Sequence, residues 1–361
     1  MDVGIIGLSQ SGKTTVFNAL TKGTAETSGG GMSEVHIGVT KVPDSRIDVL
    51  VEMYNPKKVI HAEIKYFDIP GSNHESKTQG IAGQYRNLLQ GADAFLIVIR
   101  TFDDPSVVHP SNNINAKDDL ETMLNEIVFA DLEILDRAVD RLEDAIKKSK
   151  PADRPNVVKH QEVVKKVKQG LEDGIPLRKQ QISESDNSFL VNYQLLTGKP
   201  VIVTFNTDES SDPVTLEQLV QDDQVDTDLG QVSLSAKLEA ELASMSEEEA
   251  AEFRSDLGLG DSALTQVIGM TYSTLGLASF LTVGEDEVRA WSIPEGLSAQ
   301  DAAGTIHTDF SRGFIRAEVI PYDDLTRCGS LAQGRKEGVL RSEGKTYPVK
   351  DGDIIHFLIN V

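Results

Sequence analysis

Cysteine is almost absent from this chain: of 361 residues, only Cys328 is a cysteine. A lone thiol excludes an intramolecular disulfide framework and any cysteine-based metal site, which suits a reducing cytoplasm. Cys328 itself reads as a small buried apolar residue. Long hydrophobic runs are missing too. No apolar stretch approaches membrane-spanning length, and the core strand that starts at Asp2 leaves nothing that reads as a signal peptide. A cytoplasmic protein with no membrane partner is expected. Positive charge is in deficit, with 35 Lys and Arg against 57 Asp and Glu and a net charge of −22. Such a surface repels phosphate and argues against a general nucleic-acid binder, except through a local basic patch. Repeats of solenoid period and low-complexity tracts are also lacking. What is left, 39% hydrophobic and 25% charged, is an ordinary globular composition at a length suited to two or three domains.

The most informative stretch comes first. Asp2 to Ile6 reads as a short buried strand, Gly7-Leu8-Ser9-Gln10-Ser11-Gly12-Lys13-Thr14 follows, and Thr15 to Leu20 continues as an amphipathic helix. This is G-x-x-x-x-G-K-[ST] between a strand and a helix, the context that gives the pattern meaning. Small residues let the backbone N–H groups of Ser9 to Thr15 curl around phosphates, and the helix N-terminus adds partial positive charge. Lys13 then reaches the β- and γ-phosphates, and the Thr14 hydroxyl serves Mg2+. The residues predict a nucleoside triphosphate site.

Further strand-like runs occur at Glu34–Pro43, His61–Phe67, Asp93–Arg100, Pro200–Phe205 and Gln231–Leu234. Alternation with helical stretches predicts an α/β fold, a mostly parallel doubly wound sheet whose ligands bind at the strands' carboxyl ends. Thr21 to Ser33, with Gly29-Gly30-Gly31, reads as a mobile loop. Asp68-Ile69-Pro70-Gly71 ends one strand as D-x-x-G, where the Asp serves Mg2+ and the Gly N–H meets the γ-phosphate. Asn206-Thr207-Asp208-Glu209 and Ser235-Ala236-Lys237 follow the next two strands. The Asn amide is placed to tie the base loop to the phosphate loop. Thr207 and Glu209 stand where guanine-reading loops carry Lys and Asp, and the added methylene of Glu209 disturbs a bidentate guanine contact. His36 and His74 read as exposed loop histidines.

Between Lys117 and about Ser188 the period changes. Val128, Leu132, Leu135, Val139, Leu142 and Ile146 form a heptad seam, Pro151 and Pro155 break it, and Val157, His160, Val164, Val167 and Leu171 resume it. An antiparallel coiled-coil hairpin is expected. Residues 118–146 hold ten acidic and two basic side chains, whereas 147–168 hold eight basic and two acidic ones. The tip therefore reads as a basic island (Lys147, Lys148, Lys150, Arg154, Lys165, Lys166) suited to RNA phosphates or an acidic partner. From about Leu277 onward, strand-like runs punctuated by Gly and Pro imply a small α+β module with its own core.

With these segments together, the chain resembles the Obg-like ATPase family, called YchF in bacteria, within the translation-factor-related P-loop NTPases. The resemblance covers nearly the whole length. It rests on the phosphate loop, Asp68-Ile-x-Gly71, the coiled-coil insert, Leu195-Leu196-Thr197-Gly198-Lys199-Pro200 before the Asn206 loop, and the C-terminal runs Glu287–Trp291, Ala302–Phe310, Gly313–Val319 and Asp351–Asp353. It implies a P-loop NTPase domain over 1–116 and 189–277, a coiled-coil insertion over 117–188 and a ubiquitin-like β-grasp (TGS) domain over 278–361. It further implies Mg2+-dependent hydrolysis with ATP preferred over GTP, and association with ribosomes or RNA through the basic tip and the TGS domain. Lys13 and Gly71 would carry catalysis, and Thr14 and Asp68 would hold the metal. Ser9 to Thr15, Asn206, Thr207, Glu209 and Ser235 to Lys237 would hold the nucleotide. The chain departs from the family at Gln10, where an Asn is linked to K+, which leaves K+ open as a cofactor. It departs again near Met32, where Ser33, Thr27 or Ser28 would have to serve as the switch-loop metal ligand, and at Ser72-Asn73-His74 after D-x-x-G. A GTPase, or a nucleotide-gated adaptor with negligible hydrolysis, are the alternatives.

Overall fold

The computed structural model describes residues 1–22, 26–28, 35–70, 85–209, 212–219, 229–256 and 262–360. Among these, seven strands form one sheet in the order Glu26–Ser28, Val35–Lys41, Glu63–Asp68, Asp2–Ile6, Ala94–Arg100, Val201–Asn206 and Gly230–Leu234. Asp2–Ile6 runs parallel to both neighbours, with Ile5 opposite Asp68 on one side and Leu96 on the other. Ala94–Arg100, Val201–Asn206 and Gly230–Leu234 continue in parallel. Every residue of Ala94–Arg100 and of Val201–Asn206 is buried, as expected where helices cover both faces of a parallel sheet. Shared direction brings Gly7, Asp68, Thr101, Asn206 and Ser235 to one edge of the sheet, the edge where such folds bind ligands. The Thr21–Ser33 stretch is not all loop: Glu26–Ser28 pairs antiparallel with Val35–Ile37 through backbone bonds.

The helix Ala116–Lys148 spans 33 residues, about 50 Å at the α-helical rise. Asn115 caps it by accepting from Lys117 N and Asp118 N, and Asp118 and Asp119 suit its positive end. Its first half packs Leu120, Met123 and Ile127 on the sheet beside Ile97 and Val201. Its second half packs Leu135, Ala138 and Leu142 against Val163, Val164, Val167 and Leu171 of the helix Arg154–Glu172. Asp131 marks the changeover. Fully buried, it accepts from Leu196 N (2.8 Å), Thr197 N (2.7 Å) and Thr197 Oγ1 (2.6 Å), clamping the hairpin to the turn that feeds Val201–Asn206. Burial pushes its carboxyl above the usual range, while these three donors pull the other way. Among the described residues no helix is long and apolar enough to cross a membrane.

The chain divides into two compact units, Met1–Gly38 with Lys65–Met270, and Val39–Ile64 with Thr271–Val361. In the second unit a mixed sheet runs Arg341–Glu343, Phe314–Pro321, Asp353–Ile359, Leu277–Thr282, Glu287–Pro294 and Lys58–Ile60. The Leu277–Thr282 and Glu287–Pro294 hairpin, the helix Ala299–Ile306 and a last strand parallel to the first give a β-grasp arrangement. Ala299, Ala302 and Ala303 bring that helix close against Phe280, Val319 and Ile355. The helix Ser45–Tyr54 joins the unit through Arg46, which grips Asp44 at 2.8 Å and Asp351 at 2.7 Å. Cys328 is half-buried rather than core: its thiol donates to Glu337 at 3.2 Å, and desolvation together with that carboxylate raises its pKa.

Candidate functional site

The phosphate loop bends where its residues permit. Gly7 sits at φ 156, and a Cβ there would lie 2.5 Å from the Val98 carbonyl oxygen. Gly12 sits at φ 90, and a Cβ there would collide with the Asn206 amide. Gln10 also adopts a left-handed backbone, φ 63, with an exposed side chain. Left-handed residues among right-handed ones form the concave backbone that gathers N–H groups around an anion. The helix Lys13–Leu20 opens at Gly12 without a side-chain cap or an acid in its first turn, so its leading N–H groups are left for a ligand.

Lys13 is only 7% exposed and donates from Nζ to Leu8 O at 2.9 Å. Burial lowers its pKa to about 8, with nearby Asp68 opposing the fall. Thr14 Oγ1 donates to Asp68 Oδ2 at 2.6 Å. Asp68 is 4% exposed, and among the described residues its other oxygen, Oδ1, is buried with no hydrogen-bond partner, as is Ser11 Oγ. Native interiors rarely leave such atoms unsatisfied, so orphans gathered at one loop mark a place built for a ligand. A hydroxyl, a carboxylate and a spare buried oxygen fit Mg2+, which takes few protein oxygens and completes its shell with water and phosphate. Among the described residues no cluster of three or more His, Cys, Asp or Glu side chains is arranged to hold a metal. His36 is not an exposed loop residue: it lies half-buried on the strand Val35–Lys41, with Nδ1 3.5 Å from Asp68 Oδ2.

Asn206 joins the two ends of the site. Its Nδ2 donates to Ser11 O and its Oδ1 accepts from Ala236 N, both at 3.0 Å. Its own carbonyl accepts from Thr101 N at 2.9 Å and Thr101 Oγ1 at 2.8 Å. Thr207 is buried and donates to Leu234 O at 2.8 Å. Ser235 caps the helix Ala236–Ala243 by accepting from Leu238 N. Beyond it the surface opens to solvent, where Lys237 pairs with Glu209 at 3.1 Å, a contact that raises the lysine pKa. Ser9 and Thr15 are half-buried beside the loop.

Two contributors escaped the sequence reading. Arg100 is buried and donates to the carbonyls of Phe102 (3.1 Å), Val107 (2.9 Å) and Asp104 (3.2 Å), shaping the loop beside Asn206. Its one sequence signal is an arginine ending an otherwise apolar strand. Glu239, also buried, pairs with Arg254 at 2.7 Å and accepts from Ala263 N, fixing the helix that begins at Ala236. Gly71, Met32, Ser33, Ser72, Asn73 and His74 lie outside the described residues, as do the side chains of Thr27 and Ser28.

The basic tip is narrower than its charge count suggests. Lys147 pairs with Asp144 (3.2 Å), Lys165 with Glu143 (3.6 Å), and Lys166 donates to Gln181 O (3.2 Å). Lys148, Lys150 and Arg154 are exposed and form no ion pair among the described residues.

Known proteins match this arrangement along its whole length. A family model described as a 50S ribosome-binding GTPase matches residues 2–135, and the YchF GTPase C-terminal model, described as a protein of unknown function, matches residues 277–360. A Bacillus subtilis protein described as ribosome-binding ATPase YchF is 36% identical over 100% of both chains. One of the same description from Escherichia coli O157:H7 is 37% identical over 99% of each. The solved structure of the Schizosaccharomyces pombe YchF GTPase superposes with a TM-score of 0.86 at 30% identity, covering 99% of this chain and 97% of that one. With full-length identity of this order and a phosphate loop, helical hairpin and β-grasp unit in the same sequence, the chain belongs to the YchF family.

Proposed function

We propose that this chain is a Mg2+-dependent P-loop ATPase serving as a ribosome-associated regulatory switch in the cytoplasm. The observation that carries the reading is the buried pair Lys13 and Asp68, with Thr14 bonded to Asp68 at their exposed edge, beside an uncapped helix N-terminus. Backbone N–H groups from Ser9 to Thr15 hold the phosphates, and protonated Lys13 neutralises the β- and γ-oxygens. Thr14 and Asp68 would hold Mg2+, which when bound would supply neutralisation of phosphate charge. Asn206 keeps the phosphate loop in register with Ser235, Ala236 and Lys237 around the base. Phosphoryl transfer demands positioning and charge neutralisation more than a separate base. Glu209, a methylene longer than the guanine-reading Asp and engaged by Lys237, disfavours the bidentate guanine contact and so favours ATP. Lys148, Lys150 and Arg154, together with the β-grasp unit, supply the contact with ribosome or RNA.

Phosphate release from ATP and GTP, with and without Mg2+, tests the chemistry. Slow Mg2+-dependent ATP turnover that Lys13→Ala abolishes is expected, and exchange of KCl for NaCl reads any role of potassium near Gln10. Ribosome cosedimentation tests the partner. Binding should fall steeply with salt, and charge reversal of Lys148, Lys150 and Arg154 should flatten that dependence by about two to three units of log–log slope. A second reading, the nucleotide-gated adaptor, is favoured by the exposed, left-handed Gln10 in the phosphate loop. Saturable ATP binding without phosphate release above buffer would select it.

A further inference from the structure

The helix Ala116–Lys148 leaves the sheet and joins its partner helix near Asp131, and an apolar groove of about 420 Å3 opens on it there. Leu124, Val128, Leu132, Leu171 and Pro176 line the groove, and Phe129 stands on it with 64% of its surface exposed. It shares no residue with the nucleotide site. A phenylalanine this open, beside a concave apolar surface, is the kind of feature that marks an interaction site rather than a folding requirement.

The charge around the groove differs from that at the hairpin's far end. Distally, acids of the first helix are answered by lysines: Asp136 by Lys168, Glu143 by Lys165 and Asp144 by Lys147. At the groove, Glu121 has no ion pair among the described residues, and Glu172 is the second lining carboxylate, shared with Lys168. Among the described residues the one lining cation, Arg178, donates toward the Thr197 carbonyl oxygen at 3.5 Å. Glu121, unanswered beside an apolar floor, suits a chain that brings a cation together with an apolar side chain.

We propose that this groove docks a basic amphipathic helical segment of a partner protein, with an apolar side chain beside Phe129 and Lys or Arg against Glu121 and Glu172. This is helix-in-groove recognition. The hairpin then carries two surfaces of different kind, a cationic tip for phosphates and an apolar base edged by Glu121 for polypeptide. The groove does not depend on the nucleotide reading and stands or falls separately.

The test uses the full chain and a fluorescein-labelled Leu/Lys/Ala peptide that places all its leucines on one helical face. Anisotropy should report saturable binding, and hydrogen exchange should show new protection confined to residues 121–132 and 171–178. Phe129→Asp should weaken binding at least about tenfold, the behaviour of an interface anchor. Because Phe129 is exposed, that variant should keep its fold, which circular dichroism checks. Glu121→Lys should weaken binding independently. Lys148→Glu with Lys150→Glu should not weaken it. Equal binding by a shuffled peptide of the same composition would overturn the proposal, reducing the effect to attraction by an acidic chain. So would indifference to both Phe129→Asp and Glu121→Lys. A concentration-dependent dimer abolished by Phe129→Asp, with no peptide bound, would overturn it in favour of a second copy of the chain.

Discussion

The two ends of the proposed nucleotide site are built on opposite principles. At the phosphate end, Lys13 and Asp68 are buried, Ser11 Oγ and Asp68 Oδ1 have no partners among the described residues, and backbone conformation is dictated by Gly7 and Gly12. At the base end, Glu209 and Lys237 meet in solvent. A buried charge with unsatisfied neighbours has a large stake in its ligand, whereas an exposed pair is already served by water. Affinity should therefore reside at the first end and discrimination between bases at the second. Asn206 is bonded to both, through Ser11 O and Ala236 N.

Replacing Lys13 should have the largest effect. Lys13→Ala removes charge-assisted bonds to phosphate, and ATP affinity by calorimetry should fall at least about a hundredfold, near 3 kcal/mol. Asn206→Ala should come next. It strands the Ser11 carbonyl and the Ala236 N–H, so stability to urea should drop by about 1–3 kcal/mol and both nucleotides should bind about tenfold more weakly. The pH dependence is subtler and has a definite sign. Free Lys13 loses its proton above about pH 8, while phosphate holds the proton on. Nucleotide binding should then take up a proton at pH 9 but not at pH 7, and affinity should decline as pH rises past about 8. Calorimetry in two buffers of different ionisation enthalpy measures this directly. Lys237→Ala should change ATP affinity least, within a factor of about three, yet alter the ratio of ATP to GTP binding. A large loss of affinity in Lys237→Ala with little in Lys13→Ala would break the comparison.

The strand, glycine turn and helix around Lys13 were legible in sequence because their geometry is local, all within the first twenty residues. The role of Asn206 as a tie was legible because parallel strands deliver their carboxyl ends to one edge. What failed needed tertiary knowledge. Lys58–Ile60 is too short to show a period, and only its pairing with Glu287–Arg289 makes it a strand. His36 reaches Asp68 because its strand lies in the same sheet, which no spacing reveals. A linear count of lysines overstated the basic tip because neighbouring acids neutralise part of it, within one helix or across the hairpin. Arg100 carried almost no signal, since its three partners are backbone carbonyls.

Equilibrium competition between ATP and GTP, with Mg2+ and on the wild-type and Lys13→Ala proteins side by side, tests the account most directly. The expected result is ATP bound in preference to GTP by the wild type, with both nucleotides lost from Lys13→Ala. Undiminished binding by Lys13→Ala would contradict the site. A wild-type preference for GTP would contradict the reading of Glu209 and place the chain functionally among the GTPase switches.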